Sequence, residues 1–358
     1  MSATPRSTTA ARPLVVRFGA FGDMVLLTAL IRPLHARFGC LVDIVTSGPW
    51  SAPLLEGQPG VGEVLSVRSR KMPYWLASDQ RRVVARLAAR GTGPTWYCDA
   101  NDATLPMLRR ARIPAEYIVD VKDHPLRAGE HATEQWRRLA RATPPAITTP
   151  PAITTPPDSG ASGESGCYLQ VSAAQRTDLA IWLEARSLQH APLLLVQAGN
   201  KRTMRRGFKR LAENPKYWPS ERWVEVIRFL RLRYPHHRVV LLGTGPEFRL
   251  NEELIALARV EGLANAADDL PIPRLIALLE RAQGLVSVDS GPAHAAAAVG
   301  CPQVVLFGRA SPSLYRPWGA AGADVKVLCG TVDGEPSMLG IAAREVIEAA
   351  ASLRLREA

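Results

Sequence analysis

Short apolar runs with β propensity alternate with helical patterns along almost the whole chain, and this alternation constrains the fold more than any single residue. Residues 14–18 read as a strand and 23–38 as a helix, with Met24, Leu27, Ile31, Leu34 and Phe38 at helical spacing and Gly39 as the stop. Residues 41–46 read as the next strand, 80–90 (QRRVVARLAAR) as a basic amphipathic helix and 95–98 as a further strand. Later, 192–197, 238–242, 285–288 and 303–307 read as strands, with helices over 220–233, 247–260, 272–281, 292–299 and 342–355. Such alternation gives parallel sheets covered by helices on both faces. Ligands bind in this architecture at the C-terminal ends of the strands.

One low-complexity segment divides the pattern. Residues 143–157, TPPAITTPPAITTPP, form a tandem hexapeptide, and DSGASGESG follows it. Pro-rich then Gly/Ser-rich composition reads as a linker or surface loop. The expected organisation is a first domain over 13–165, with 143–165 as its linker, and a second over 166–340. A C-terminal helix in 341–358 is expected to pack back toward the first domain. A length of 358 residues suits two domains of ordinary size.

Composition excludes several classes. With 47% hydrophobic and 22% charged residues, the chain is not globally disordered. The net charge of +11 favours an anionic partner, such as a phosphorylated metabolite, an acidic membrane surface or nucleic acid, although Arg/Ala/Pro-rich coding also produces it. The five cysteines, at 40, 98, 167, 301 and 329, form no CxxC pair, so a disulfide framework or structural zinc is not expected and a reducing compartment is. The start, MSATPRSTTAARP, is polar, and the apolar run after it stops at Arg17, so neither a signal peptide nor a membrane span is expected.

Four constellations could carry chemistry. Gly19-Ala20-Phe21-Gly22-Asp23 lies between the first strand and the first helix. Its glycines admit close backbone approach, and Asp23 reads as an N-cap or as a carboxylate able to take a proton at the strand end, two compatible roles. The pattern is GxxG and lacks the dinucleotide fingerprint. The second constellation runs from Asp289-Ser290-Gly291-Pro292 to His294, where a strand enters a short Ala-rich helix closed by Gly300 and Pro302. The helix N-terminus, Ser290 and His294 offer a phosphate cradle, against the plainer reading of a capped connection. The third is the basic segment after the strand over 193–197, from Asn200 and Lys201 through 202–210, with Lys216 just before Trp218-Pro219. Residues 202–210 read as a phosphate clamp or as a solvated loop, whereas Lys216 is held near the sheet edge by the helix that follows. The fourth is Gly243-Thr244-Gly245-Pro246-Glu247, in which Glu247 either accepts from a ribose or simply opens a helix.

VVRFGAFGDMVLLTALIRPL, WPSERW and VSVDSGPAHAAAAVGCPQVVLFGRASPSLYRPWG together resemble the ADP-heptose:lipopolysaccharide heptosyltransferases, glycosyltransferase family 9. The three blocks agree in order and spacing; the region 65–165 matches poorly. The resemblance implies an α/β GT-B fold, with two Rossmann-like domains whose parallel sheets face each other across a cleft. It implies an N-terminal acceptor domain, a C-terminal nucleotide-sugar domain, inversion at the anomeric carbon and no metal or cofactor beyond the sugar-nucleotide co-substrate, ADP-heptose. It makes Asp23 the general base, with Gly19 and Gly22 in the acceptor-side loop. Lys216, Glu247, Asp289, Ser290, Gly291 and His294 become donor-binding, and Asn200 and Lys201 are placed with them. The implied partners are an ADP-sugar and an anionic lipopolysaccharide precursor, met at the cytoplasmic face of the inner membrane, with no nucleic acid and no obligate protein partner. Competing readings are a GT-B transferase for another sugar nucleotide or acceptor, a sugar-nucleotide epimerase, an inactive homologue and a basic nucleic-acid-binding protein. The last lacks any helix-turn-helix, RNP or zinc pattern. The segment 200–214 is longer and more basic than the family's usual phosphate loop, and the 143–157 repeat has no family counterpart.

Overall fold

The computed structural model describes residues 12–68, 72–148, 166–200, 214–319 and 322–357, which form two units. In the N-terminal unit the order is β1 (Leu14–Val16), α1 (Phe21–Leu26), α2 (Thr28–Phe38), β2 (Val42–Ser47), α3 (Ser51–Leu55), β3 (Val61–Val67), α4 (Ser78–Ala89), β4 (Thr95–Tyr97), α5 (Leu105–Arg110), β5 (Ile118–Asp120) and α6 (Ala132–Arg141). The five strands are parallel in the order β3-β2-β1-β4-β5. β1 and β4 are buried throughout because helices cover both faces. Val15 lies in register with Ile44 on one side and Trp96 on the other.

The helix expected over 23–38 starts earlier, at Phe21, and is interrupted at Leu27. Pro33 lies inside α2 and has no N–H to donate to the Ala29 carbonyl, so that helical hydrogen bond is missing. Gly39 ends α2 in the left-handed region (φ 62°), as its position predicts. The start of the expected linker is tied to this unit. Arg37 donates to Thr143 Oγ1 at 2.5 Å, and Ala146 N donates to Glu116 O at 2.8 Å.

The C-terminal unit contains α7 (Ala173–Ala185), β6 (Leu193–Gln197), α8 (Ser220–Arg233), β7 (Arg238–Leu241), α9 (Phe248–Ala258), β8 (Leu263–Asn265), α10 (Ile272–Arg281), β9 (Gly284–Val288), α11 (Gly291–Ala298), β10 (Gln303–Phe307), α12 (Pro312–Tyr315), β11 (Val325–Cys329), a hairpin of β12 (Thr331–Val332) and β13 (Glu335–Pro336), and α13 (Ala343–Ala351). Its six parallel strands run β11-β10-β9-β6-β7-β8. α8 buries Trp223, Val224, Ile227 and Leu230 along one face, where they join Leu194, Val196, Val286 and Val288 in the core.

Residues 341–358, expected to return to the first domain, fall in the C-terminal unit, where Ile341, Val346 and Ala350 of the α13 region enter that same core. The C-terminal unit also includes Gly129–Thr133, where His131 Nε2 donates to Arg316 O at 2.9 Å and its ring stands edge-on to Trp318. All five cysteines are free. Among the described residues, no helix is long and apolar enough to cross a membrane.

Candidate active site

In the C-terminal sheet the strand order turns back between β6 and β9: the chain builds outward through β7 and β8 on one side, then through β10 and β11 on the other. Loops diverge at such a switch point and leave a place for a ligand at the strand ends. Five of the expected donor residues meet there. β9 runs into Asp289 and Ser290, and α11 starts at Gly291. Ser290 caps α11 by accepting from Ala293 N at 3.4 Å, and its Oγ lies 3.1 Å from Ser287 Oγ. Lys216 Nζ donates to the Asp289 carbonyl and carboxylate, both at 2.7 Å. His294 Nε2 stands 3.9 Å from the other carboxylate oxygen of Asp289. The Asp289 side chain is only 8% exposed, so its charge depends on these neighbours, whereas Lys216 is 34% exposed and can still meet a ligand.

The reach of Lys216 is set by its surroundings. Asn214 Oδ1 accepts from Lys216 N at 3.1 Å, and Asn200 Nδ2 donates to Lys216 O at 3.4 Å. Two residues on, buried Trp218 donates to Ile341 O at 3.0 Å and packs edge-on against Trp223. Gly308, after β10, lets the backbone before Lys216 come close: a Cβ at that position would sit 2.0 Å from Pro215 O.

Glu247 has a role that spacing did not reveal. It is 3% exposed, and its carboxylate is committed to protein donors. Oε2 accepts from Thr244 N at 2.9 Å and Thr244 Oγ1 at 2.8 Å, while Oε1 accepts from Gln197 Nε2 at 3.1 Å. It therefore ties the loop after β7 to the end of β6, where Gly199 leaves room for Oε1. Burial pushes its carboxyl above the ordinary range, against the lowering effect of these hydrogen bonds. Lys201 and the basic run 202–210 lie outside the described residues.

In the N-terminal unit the equivalent switch point lies between β1 and β4. Asp23 is there, but not as an N-cap: α1 begins at Phe21, and Asp23, its third residue, reaches back so that Oδ2 accepts from Ala20 N at 2.7 Å. Gly22 is thus inside α1, and Gly19 is the residue that permits the turn, because a Cβ on it would lie 2.5 Å from Asp23 Cβ. The other oxygen, Oδ1, faces Arg17 Nη2 at 3.6 Å. Arg17 donates to Cys98 O at 2.8 Å and lies 4.0 Å from buried Asp99. Asp99 in turn accepts from Phe18 N and Thr104 Oγ1, both at 2.8 Å. Trp50 also supports the turn, donating from Nε1 to Gly19 O at 3.1 Å.

Sequence reasoning passed over Arg17, Asp99, Trp50, Gln197 and Gly308. Arg17 and Asp99 could have been found as charged residues at the ends of two adjacent central strands. Trp50 and Gly308 act through contacts distant in sequence, and no local pattern marks them.

Residues 170–330 match the family model of glycosyltransferase family 9 (heptosyltransferase). Lipopolysaccharide heptosyltransferase 2 of Salmonella typhimurium is 26% identical over 191 residues, 46% of this chain and 54% of that protein, so the chain spans about half the length of the curated relative. Two solved structures share the fold along nearly the whole chain. The E. coli ADP-heptose lipopolysaccharide heptosyltransferase II matches with TM-score 0.71 at 20% identity, covering 95% of this chain and 98% of that one. A glycosyltransferase family 9 structure from Veillonella parvula matches with TM-score 0.75 at 17% identity, covering 96% of each chain. The fold is therefore the two-domain GT-B fold with Rossmann-like units, and within the C-terminal unit residues 170–330 are similar to glycosyltransferase family 9.

Proposed function

We propose that this chain transfers a heptose from ADP-heptose to an anionic lipopolysaccharide inner-core acceptor, with inversion at the anomeric carbon and without a metal ion. The observation that carries the reading is Lys216 held against Asp289 at the first turn of α11. When the bond from the anomeric carbon to the diphosphate breaks, negative charge grows on the departing ADP. An ammonium has three donors, and Asp289 takes two of those on Lys216, leaving one for a diphosphate oxygen. The N-terminal turn of α11, with Ser290, Gly291 and His294, adds a favourable field for the same charge. Asn200 and Lys201 complete the diphosphate side, and Glu247 shapes the nucleoside side by holding Gln197 and Thr244. The Asp289 carboxylate favours the positive character that develops on the sugar. Asp23 takes the proton of the attacking hydroxyl on Oδ1, since Oδ2 is tied to Ala20 N. The names of the relatives support the donor and acceptor classes, and the net charge of +11 suits an acceptor rich in carboxylate and phosphate at the cytoplasmic face of an anionic membrane.

The test is release of ADP from ADP-heptose in the presence of a lipopolysaccharide-precursor acceptor, with and without EDTA, against UDP- and GDP-sugars. Turnover with ADP-heptose alone, unchanged by EDTA, is expected. Preference for UDP- or GDP-sugars, or loss of turnover in EDTA, would overturn the donor or the metal-free part of the reading.

A further inference from the structure

The connection between β3 and α4 carries three exposed apolar side chains within five residues: Met72 at 48%, Trp75 at 73% and Leu76 at 55%. This segment is held by its own hydrogen bonds. Leu76 N and Ala77 N donate to Pro73 O at 3.0 and 3.1 Å, and buried Gln80 donates from Nε2 to Met72 O at 3.1 Å. Arg81 Nη1 donates to the Trp75 carbonyl, and Ala77 is buried beneath the turn. The backbone is fixed while the largest apolar groups stay in water, an arrangement that gains nothing for folding.

The charges around the turn are nearly all of one sign. Arg81 is hydrogen-bonded to the turn, and the Arg110 guanidinium lies 4.4 Å from the centre of the Tyr74 ring. Arg68, Arg81, Arg82, Arg109 and Arg110 are all exposed. The carboxylate at the start of α4, Asp79, is engaged by Arg68 N at 2.6 Å and Gln80 N at 2.9 Å. An exposed Trp with aliphatic neighbours and a collar of arginines fits the headgroup layer of an anionic bilayer: the indole and aliphatic groups enter the interface, and the guanidinium groups meet lipid phosphates. A neutral apolar protein face would leave those arginines desolvated and unpaired.

We propose that Met72, Trp75 and Leu76, with Arg81 and Arg110, form a lip that docks this enzyme on an anionic lipid bilayer. This deepens the acceptor side of the function proposed above and rests on it for what the bilayer supplies; the docking itself can be measured without turnover. The experiment is flotation of the full chain with phosphatidylethanolamine–phosphatidylglycerol vesicles, with phosphatidylcholine vesicles as control. Transfer to a soluble, de-acylated acceptor is assayed in parallel. Wild type is expected to float with the anionic vesicles only, less so as salt rises. Trp75→Ser with Leu76→Ser should weaken binding by about ten-fold or more. Arg81→Gln and Arg110→Gln should each weaken it by about five-fold. All variants should keep wild-type turnover on the soluble acceptor.

Failure of wild type to bind anionic vesicles, or equal binding by the Trp75/Leu76 variant, overturns the proposal. Concentration-dependent dimerisation of wild type that the same variant abolishes would assign the face to a second copy and also overturn it. If vesicle binding behaves as expected but no variant or wild type transfers heptose, the docking stands and the proposed function fails.

Discussion

The two units solve the same topological problem with opposite chemistry. Each is a parallel sheet that starts in the middle, builds to one edge and returns to build the other, so each has a switch point at its strand ends. In the N-terminal unit that point presents Asp23 and Asp99 around the single guanidinium of Arg17. In the C-terminal unit it presents Lys216, His294 and a helix N-terminus around the single carboxylate of Asp289. The architecture supplies a place, and the residues at the strand ends decide its sign. A site of carboxylates suits removal of a proton, whereas a site of donors suits a diphosphate.

The sharpest break in this comparison is Asp23→Asn. It should lower kcat by about 10²–10⁴-fold while leaving ADP affinity unchanged, because it removes the proposed base, whose partners Ala20 and Arg17 belong to its own unit. Steady-state transfer kinetics with a parallel ADP titration would show this, and a fall in ADP affinity would merge the two roles. Lys216→Met acts on the opposite side. It removes a charge-assisted contact of about 1.5–3 kcal/mol, so donor affinity should fall by about ten- to a hundred-fold. It also leaves the Asp289 carboxylate without its ammonium, so the melting temperature should drop as well.

Two glycines test the comparison through backbone geometry. Gly308→Ala would put a Cβ 2.0 Å from Pro215 O, and Gly19→Ala one 2.5 Å from Asp23 Cβ. Overpacking of this kind costs about 1–3 kcal/mol. The first should weaken donor binding with little direct effect on the chemical step, and the second should lower kcat with little effect on donor binding. A reversal of that KM and kcat split would undo the assignment of roles.

The smallest effect concerns Glu247. Burial raises its folded carboxyl above the unfolded value, so the folded state holds its proton longer, and stability contributed there is lost as pH rises through the folded value. Glu247→Gln should flatten the dependence of melting temperature on pH from the ordinary carboxylate range upward. An unchanged slope would remove Glu247 from that linkage.

What the sequence made legible follows the sheets from the centre outward. The strands read from sequence correspond to β1, β2, β4, β6, β7, β9 and β10. Within the two parallel sheets, those not read, β3, β5, β8 and β11, are the four edges; the β12–β13 hairpin is not read either. Central strands are apolar runs because both faces are covered. Edge strands such as Val61–Val67 are largely half-exposed and carry Gly62, Glu63 and Ser66, so they read as loop. The site divides in the same way. Asp23, Lys216, Asp289, Ser290 and His294 announce themselves because each sits at a strand end in a local turn pattern. The pairing of Lys216 with Asp289, the enclosure of Glu247 and the approach of Gly308 to Pro215 join segments far apart in sequence and have no local signature.

The central claim is that one unit binds the nucleotide and the other supplies the base. The most direct measurement is the ADP-induced rise in melting temperature, taken in EDTA, for wild type, Asp23→Asn and Lys216→Met. A ligand at about 100 times its Kd adds ~2.7 kcal/mol of stability, which is easily seen. The account predicts equal shifts for wild type and Asp23→Asn and a much smaller one for Lys216→Met. Loss of the shift in Asp23→Asn, or a full shift in Lys216→Met, would contradict it.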